Sequence, residues 1–343
     1  ADPYVDFSKY DNDHDGIVDT VMIVHQGRGA EESRDSTDIW SHKWSLSGAG
    51  VGAVYADGVW INTYTIQPEE YRQSISSIGI FAHEYGHALG LPDLYDTDDS
   101  SEGVGNWCLM GGGSWNGGGN TPAHPSAWCK VNQGWATVNN VTANGTISIP
   151  DVKSSHQVHR LWKDGAAGQE YFLLENRQRT GFDAQLPGGG LLLWHIDESK
   201  PTNTAENHYK VGLLQADGLR QLETAANRGD GGDPFPGSGN VTSCSGTTTP
   251  NTNSFTGQAT NVSVTAISPS AATMTAHVTV RAGKSIAKEV KEIVKEIRKE
   301  SAKDTKDLSD TKLRVKEIRK EVLKEQVKEQ VKEIKESVKE LKD

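Results

Sequence analysis

Residues 81–93 of the chain read Phe-Ala-His-Glu-Tyr-Gly-His-Ala-Leu-Gly-Leu-Pro-Asp. From position 74 to position 91, apolar side chains recur three and four residues apart, which is the spacing of an amphipathic helix. Gly90 and Pro92 stand at the end of this run, and such a pair is typical of a helix C-terminus. The sequence therefore predicts a helix over residues 74–91 that ends in a tight turn.

Three side chains on this predicted helix are suited to hold and use a metal ion. His83 and His87 are four residues apart, so both imidazoles lie on one helical face, with Glu84 beside them to polarise a metal-bound water. Gly90 permits a turn after which Asp93 can return as a third ligand, leaving a fourth position open for water as in catalytic zinc sites. A bare His-Glu-x-x-His also arises by chance in helices. The extension to His-Glu-x-x-His-x-x-Gly-x-x-Asp favours a catalytic zinc site.

A glycine-rich segment, residues 103–119, follows the helix. It contains Cys108-Leu-Met110-Gly, at a distance suited to the methionine-containing turn that lies beneath the metal in metzincins. An ordinary core position is the alternative role for Met110. Residues 125–133 are expected to form a short helix that ends at Gly134.

Strands are expected on both sides of this helical region. β-branched residues predict a buried strand of a mixed sheet near residues 18–24 and a second strand over 59–66. Between them, the polar segment 28–47 is expected to be an ordered loop held by Trp40 and Trp44. These elements and the helix predict an α+β fold for the first part of the chain.

The pattern changes after residue 136. Short β-type runs separated by Gly, Pro and Asn occur at residues 146–149, 171–174, 191–196 and 272–280. We expect three parts: residues 1–136 as a catalytic domain with a mixed sheet and an active-site helix, residues 137–282 as a β-rich region that continues the same unit, and residues 283–343 as a charged helical or coiled-coil extension.

Composition and charge exclude several classes of protein. No apolar run approaches the roughly 18–20 residues of a membrane-spanning helix. The formal charge is −11, and residues 1–283 carry 31 acidic against 16 basic side chains, which opposes binding to nucleic acid. Three cysteines are too few for a disulfide scaffold. We expect neither a transmembrane segment nor a nucleic-acid partner.

The last sixty residues have a different composition. Residues 284–343 carry 19 Lys and Arg against 15 Asp and Glu, and they contain no Gly, Pro or aromatic residue. Apolar residues alternate at spacings of three and four, which favours a coiled coil or a helical hairpin that bends near residues 309–310. A solvated single helix is the alternative. The segment could serve self-association or docking to a cell surface, and we expect it to be dispensable for chemistry.

An acidic loop precedes the first predicted strand. The sequence from Asp11 to Asp19 places oxygen ligands at alternate positions: Asp11, Asp13, Asp15, the backbone carbonyl of Ile17, and Asp19. A glycine at the sixth position allows the sharp turn that calcium loops require. A full EF-hand is not expected, because Met22 replaces the glutamate of its twelfth position. We predict a structural calcium site, and a solvated acidic turn is the alternative.

Several blocks of sequence resemble one family in the same order. One block is the histidine-rich segment 81–96, which includes the helix described above. The others are Val5-Asp-Phe-Ser-Lys-Tyr-Asp-Asn-Asp13, Asp38-Ile-Trp-Ser-His-Lys-Trp44, Gly105-Asn-Trp-Cys-Leu-Met110, Glu170-Tyr-Phe-Leu-Leu-Glu-Asn-Arg177, Gly190-Leu-Leu-Leu-Trp-His-Ile-Asp-Glu198 and Gly232-Asp-Pro-Phe-Pro-Gly237. With these blocks, residues 4–283 resemble the immune inhibitor A family of secreted bacterial zinc metallopeptidases.

The resemblance implies a zincin catalytic domain, hydrolysis of peptide bonds, extracellular action after removal of a propeptide, and stabilisation by calcium. Carried over to this sequence, His83 and His87 become zinc ligands, Glu84 the general base and Asp93 the third ligand. Asp96 lies one helical turn further on and could compete for that third position.

Two features depart from the zincin pattern. Some zincins place a tyrosine two residues after the methionine of the turn, where this chain has Gly112, so a tyrosine that stabilises the transition state must come from elsewhere or be absent. Zincins also place a strand and a backing helix before the first strand predicted here, and we expect these parts to be missing.

Other candidate residues have weaker support. His195 lies on a predicted strand between apolar residues, which favours a structural role, and His42 and His124 are ambiguous. A second group of acidic residues could hold another ion, although such groups are usually hydrated loops: Asp96, Asp98, Asp99 and Glu102.

The sequence thus predicts a secreted zinc endopeptidase that acts on proteins or peptides through a metal-activated water, with Glu84 as general base. Two other functions remain open at this stage. One is a calcium-stabilised surface adhesin or binding module with a vestigial site, and the other is a zinc hydrolase that acts on a non-peptide bond.

Overall fold

Strands provide most of the regular structure in the computed structural model, which describes residues 2–281, 294–295, 314–325 and 328. Contacts between residues divide the chain into two units, Ala1–Arg281 and Ala282–Asp343. Among the described residues, none of the helices combines the length and apolar character that crossing a bilayer requires.

The described elements of the first unit follow one another from a strand-rich start to an antiparallel end. Up to residue 136 they are β1 (Val21–Arg28), α1 (Ala30–Ser33), β2 (His42–Ser45), β3 (Val54–Ala56), β4 (Val59–Ile61), β5 (Thr63–Tyr71), β6 (Ser74–Ile75), α2 (Ile78–Ala88) and α3 (Ala127–Asn132). The elements after residue 136 are β7 (Thr137–Val141), β8 (Gly145–Pro150), α4 (Val152–Ser155), β9 (Gln157–Trp162), β10 (Glu170–Arg177), β11 (Gly190–Asp197), β12 (Val211–Leu213), β13 (Ser263–Thr265) and β14 (Thr273–Thr279). This mixture of sheets and a few short helices confirms the α+β class.

β5 lies at the centre of the sheet that supports α2. β1 pairs with one side of β5 in parallel, and β2 pairs with the other side antiparallel. The short strand β6 pairs with the end of β5. The sheet is therefore mixed, as predicted. The prediction of a buried strand near residues 18–24 is wrong, because β1 begins at Val21 and lies at the edge of the sheet, where Met22 and Val24 are about half exposed.

Two details of this region differ from the sequence prediction. The strand predicted over residues 59–66 is divided at Asn62, because β4 turns back to pair with β3 while β5 pairs with β1 and β2. The segment 28–47 is not simply a loop, because β2 within it pairs with β5. Trp40 and Trp44 are 51% and 53% exposed, so the tryptophans do not hold this segment in a core.

The helix that carries the histidines begins later than its periodicity predicts. Ser74–Ile75 pair with the end of β5, so α2 begins at Ile78. It ends before Gly90, whose φ of +90° is a left-handed conformation that glycine adopts without strain. Gly86 lies on the face of α2 that packs on Met110, where an added Cβ would come within 2.6 Å of the Met110 sulfur. A glycine at this position lets α2 approach the turn beneath it.

The β-rich part forms two further sheets. One has the order β12-β11-β10-β9-β7, and the other has the order β13-β14-β8. The runs predicted at residues 146–149, 171–174 and 191–196 lie inside β8, β10 and β11, and the run at 272–280 covers β14. These strands were recognisable because their apolar runs are short and bounded by Gly, Pro and Asn.

Both faces of the larger sheet are buried. On one face, Leu173 and Trp194 pack in a core together with Trp107 and Met110. On the other face, Phe172 and neighbouring apolar residues pack against the smaller sheet. The glycine-rich segment after α2 and the β-rich sheet therefore share one hydrophobic core.

Little of the second unit is described. Residues 314–325 are helical, and Leu323 in this helix is largely exposed. The rest of the predicted coiled-coil seam, apart from positions 294–295 and 328, lies outside the described residues, as does the bend expected at 309–310.

Candidate active site

Two imidazoles lie together on the buried face of α2. His83 and His87 are one helical turn apart, and their ring centroids are 4.7 Å apart with the planes nearly perpendicular. Their Nε2 atoms are 3.2 Å apart. The four-residue spacing thus brings both rings to one point, as the sequence suggests.

The outer nitrogen of each ring faces a backbone carbonyl. His83 Nδ1 lies 2.9 Å from the carbonyl oxygen of Leu109, and His87 Nδ1 lies 2.8 Å from that of Leu91. A carbonyl oxygen can only accept a hydrogen bond, so each Nδ1 carries the proton and each Nε2 of a neutral ring presents a lone pair. Both lone pairs are directed toward the same point.

Asp93 completes this group. Its Oδ1 lies 3.2 Å from His83 Nε2 and 3.1 Å from His87 Nε2, and this buried oxygen has no hydrogen-bond partner. Three acceptor atoms that meet without a hydrogen between them repel one another unless a cation lies among them. Ligand atoms about 2.0–2.1 Å from a tetrahedral zinc ion would be about 3.3–3.4 Å apart, close to the spacing found. Two imidazoles and one carboxylate therefore fit a zinc ion.

Asp96 does not reach the imidazoles. Its side chain accepts hydrogen bonds from the hydroxyls of Ser100 and Ser101, and its nearest acidic neighbours are Asp98 and Glu206. Of the two aspartates considered for the third ligand position, the structure brings Asp93 to the histidines.

The methionine turn lies directly beneath α2. Met110 is fully buried against Gly86, and the carbonyl of Leu109, one residue earlier, accepts the hydrogen bond from His83. The turn thus both packs under the helix and orients one of the imidazoles.

Glu84 lies beside the histidines in a buried position and is only 6% exposed. Burial raises its pKa above the ordinary value, and the nearby imidazoles of His83, His87 and His42 only partly offset this effect. A carboxylate that is less costly to protonate is suited to accept and return a proton during a reaction.

Tyr95 was not singled out by the sequence. Its ring stacks against His83 at 6.1 Å between centroids, and the neighbouring Asp93 carboxylate and burial both hold the pKa of its hydroxyl above the ordinary value. The phenol therefore stays protonated and can act as a hydrogen-bond donor at the site. No spacing rule pointed to it, because its position depends on the turn after Gly90.

His42 is close enough for its charge to act on Glu84, and its Nε2 lies 3.2 Å from the Tyr64 hydroxyl oxygen. His195 and His124 do not join the group formed by His83, His87 and Asp93. His195 is stacked between Phe172 and Phe255 and lies 2.9 Å from the Glu170 carboxylate. Burial lowers the pKa of His124 to about 4, so this ring is neutral near pH 7. The stacking and the carboxylate contact indicate a structural role for the His195 ring.

The acidic loop before β1 is partly assembled. One carboxylate oxygen from each of Asp11, Asp13 and Asp15 lies within 4.8 Å of the others. Asp19 lies outside this group, and its carboxylate accepts a hydrogen bond from the Asn12 side chain. The loop thus brings together three of the oxygen donors that the sequence indicates for calcium.

The second acidic group is arranged differently from the sequence interpretation. Asp96 and Asp98 lie together with Glu206, a residue from a distant part of the chain. Glu102 instead pairs with Arg228 at 2.9 Å. The sequence could not indicate Glu206, because it approaches only through the tertiary fold.

The helix-borne histidines, the returning aspartate and the methionine turn together form a candidate metal-binding site of the kind that metallopeptidases use. Residues 2–141 match the model of the immune inhibitor A peptidase M6 catalytic domain. This match confirms the family resemblance for the sequence blocks before residue 141, and the blocks at 170–177, 190–198 and 232–237 lie outside it. The matched segment contains α2 and its three metal-binding candidates.

Two curated relatives are each similar to about a third of the chain. Immune inhibitor A of Bacillus thuringiensis subsp. alesti is 37% identical over 131 residues, which is 32% of this chain and 18% of the relative. The pre-pro-metalloprotease PrtV of Vibrio cholerae serotype O1 is 37% identical over 131 residues, which is 34% of this chain and 14% of the relative. The chain thus spans less than a fifth of the length of these relatives.

Proposed function

We propose that the protein is a secreted zinc-dependent endopeptidase that hydrolyses proteins or peptides. The observation that carries the proposal is the meeting of His83 Nε2, His87 Nε2 and the unpartnered Asp93 Oδ1 beside the buried carboxylate of Glu84. The match to a peptidase catalytic domain and the printed name of one relative as a metalloprotease support it.

The residues around the metal position have separable roles. His83, His87 and Asp93 would hold a zinc ion, which when bound supplies positive charge that polarises a carbonyl group and lowers the pKa of a water molecule. Glu84 accepts the proton that water loses as its oxygen attacks the peptide carbon. Glu84 then delivers this proton to the amine nitrogen as the carbon–nitrogen bond breaks.

The hydroxyl of Tyr95, whose ring stacks on that of His83, adds a neutral hydrogen-bond donor to the site. Because its hydroxyl stays protonated, it can donate a hydrogen bond to the oxygen that becomes negative during the attack, or to the carboxylate of Asp93. Either contact would stabilise the charges at the site without adding one.

Removal of the metal tests the proposal. We expect dialysis against 1,10-phenanthroline to lower cleavage of casein and gelatin to background, and added zinc to restore it in proportion to the zinc bound. A zymogram, a fluorogenic casein assay and metal analysis by mass spectrometry measure these quantities. Bound zinc without proteolysis would contradict the proposal and favour a non-peptide hydrolase, and proteolysis that persists without metal would also contradict it. A chain with neither zinc nor proteolysis would favour the adhesin or binding module.

The proposal includes a structural calcium ion in the acidic loop, held by Asp11, Asp13 and Asp15, with Asp19 and the Ile17 carbonyl as further ligands. The loop precedes β1, so an ion there would tie it to the edge of the mixed sheet. Oxygen ligands of this kind bind calcium at the concentrations found outside cells, which agrees with secretion.

Substitution of this loop has a defined effect on stability. We expect Asp13→Ala with Asp15→Ala to remove a calcium-dependent rise in Tm of roughly 5–10 °C, because saturating calcium adds about 2.7 kcal/mol of stability at a hundredfold excess over Kd. Circular dichroism with and without calcium measures the change, and Asp164→Asn, on an exposed turn, is the control. Equal calcium-dependent shifts in the wild type and the double variant would show that the loop is only a turn.

A further inference from the structure

Three aspartates outside the sites described above meet at one place in the β-rich part. One carboxylate oxygen from each of Asp217, Asp230 and Asp233 lies within 4.8 Å of the others. Two backbone hydrogen bonds hold their segments side by side, from Ala216 N to the Asp233 carbonyl and from Asp217 N to the Gly232 carbonyl. The arrangement is therefore fixed by the main chain rather than by exposed side chains alone.

Asp233 provides a second, independent observation. The residue is fully buried, and its Oδ2 accepts hydrogen bonds from Trp107 Nε1 at 2.9 Å and from Asp230 N at 3.0 Å. Its buried Oδ1 has no hydrogen-bond partner. Buried oxygens without a partner are uncommon in folded proteins, so this atom is available to a ligand from outside the chain.

The three carboxylates also lack a balancing positive charge. Within the part of the chain that the structure describes, no lysine or arginine forms an ion pair with any of them, and Arg228 pairs with Glu102 instead. Without a cation, bringing three carboxylates together at a partly buried place raises the free energy of the folded protein.

Gly232 leaves room where two of the carboxylates converge. A Cβ placed on this residue would lie 2.6 Å from Asp217 Oδ2 and 3.0 Å from Asp230 Oδ1. A side chain there would displace one or both carboxylates. The glycine thus permits the approach of the two oxygens toward the buried Asp233.

We infer that Asp217, Asp230 and Asp233 bind a calcium ion. Three carboxylates form a hard oxygen donor set, which excludes a preference for soft metals. Calcium takes several carboxylate and carbonyl oxygens at about 2.3–2.6 Å, whereas magnesium is usually held by one or two carboxylates and keeps several waters, so three converging carboxylates favour calcium. The site is separate from the acidic loop before β1 and does not depend on the proposed peptidase activity.

An ion at this place would connect the β-rich part to the support of α2. Trp107, which donates to Asp233, lies two residues before the Leu109 carbonyl that orients His83. The neighbouring Asn106 N donates to the Arg228 carbonyl at 2.8 Å. The calcium ion therefore stabilises the segment on which the methionine turn is built.

Neutral substitutions test this site in the full-length chain. We expect Asp217→Asn and Asp233→Asn each to bind one calcium ion fewer than the wild type in equilibrium dialysis. We also expect each to lose about 5 °C of the calcium-dependent rise in Tm. In calcium-free buffer, Asp233→Asn should melt at or above the wild-type temperature, because the amide removes a buried charge and keeps an acceptor for Trp107.

Controls separate this site from other calcium effects. Asp164→Asn removes an exposed charge only and should behave as the wild type, and the Asp13→Ala, Asp15→Ala double variant should keep the calcium that depends on Asp233. If Asp233→Asn fails to fold, the half-buried Asp217→Asn decides the question by its calcium content. Unchanged calcium content in Asp217→Asn would overturn the inference, and so would an equal rise in Tm with magnesium.

Discussion

Replacing Glu84 with glutamine is expected to lower kcat/KM for casein or a peptide substrate by about 10²–10⁴-fold, the usual contribution of a general acid–base group. The amide is close to the carboxylate in size but cannot take a proton from water at neutral pH. Because the proposed ligands are His83, His87 and Asp93, the variant should keep its zinc. A fluorogenic peptide assay and zinc analysis on the same samples measure both quantities.

A second variant makes this result specific. His87→Ala should lose zinc and activity together, because it removes one of the three converging ligand atoms. Glu84→Gln should thus be inactive with zinc bound, and His87→Ala inactive without zinc. This difference separates the role of Glu84 in proton transfer from the role of His87 in metal binding. Substantial casein cleavage by Glu84→Gln would exclude the proposed role of Glu84.

Arg177→Met should produce the largest loss of stability in the β-rich part. Arg177 is fully buried, with its guanidinium bound to the Asp183 carboxylate and 3.3 Å from Glu175 Oε1. Removing one partner of a buried ion pair costs about 3–5 kcal/mol, because the remaining charge loses its partner and stays out of water. Urea denaturation followed by fluorescence measures the difference.

The pH dependence of this loss has a definite sign. Burial alone would raise the pKa of Asp183, but the Arg177 guanidinium holds it well below the ordinary value. In the wild type this interaction stabilises the fold above the unfolded-state pKa of about 4, and the stability is lost as pH falls toward the depressed folded-state pKa. In Arg177→Met the Asp183 carboxylate keeps only the longer pair with Lys153, at 3.5 Å, so the stability deficit against the wild type should be full at pH 7 and shrink as Asp183 becomes protonated.

A double variant provides the internal control for this network. Arg177→Met with Asp183→Asn removes both charges and should regain part of the stability, because fewer buried charges remain without a partner. An Arg177→Met protein with the wild-type unfolding midpoint at pH 7 would show that the buried pair contributes little.

The parts of the fold that could be predicted depend on neighbouring positions in the sequence. The spacing of His83, His87 and Asp93 needs only a helix followed by a turn, and both are encoded within residues 78–93. The strands β10 and β11 were recognisable because each contains a continuous apolar run, at residues 171–174 and 191–194, and nearly all their residues are buried. In these segments the local sequence pattern and the tertiary environment favour the same secondary structure.

Other elements depend on partners far away in the chain. β2 lies in a polar segment and becomes a strand because β5 offers it a free edge. Asp233 reaches Trp107 across 126 residues, and Glu206 joins Asp96 across a similar distance. No periodicity records such pairs, so neither the aspartate group nor the position of Tyr95 beside His83 could be inferred from the sequence.

The hydrogen bonds that orient both imidazoles end on main-chain oxygens, those of Leu109 and Leu91. In many metal sites a second carboxylate holds the ligand histidine, and a single substitution can delete it. Here the acceptor is part of the backbone, which every residue possesses, so mutation of either leucine changes packing without abolishing the acceptor. The backbone conformation therefore determines which ring nitrogen of each histidine carries the proton. Substitutions at positions 91 and 109 can accumulate without removing these two hydrogen bonds.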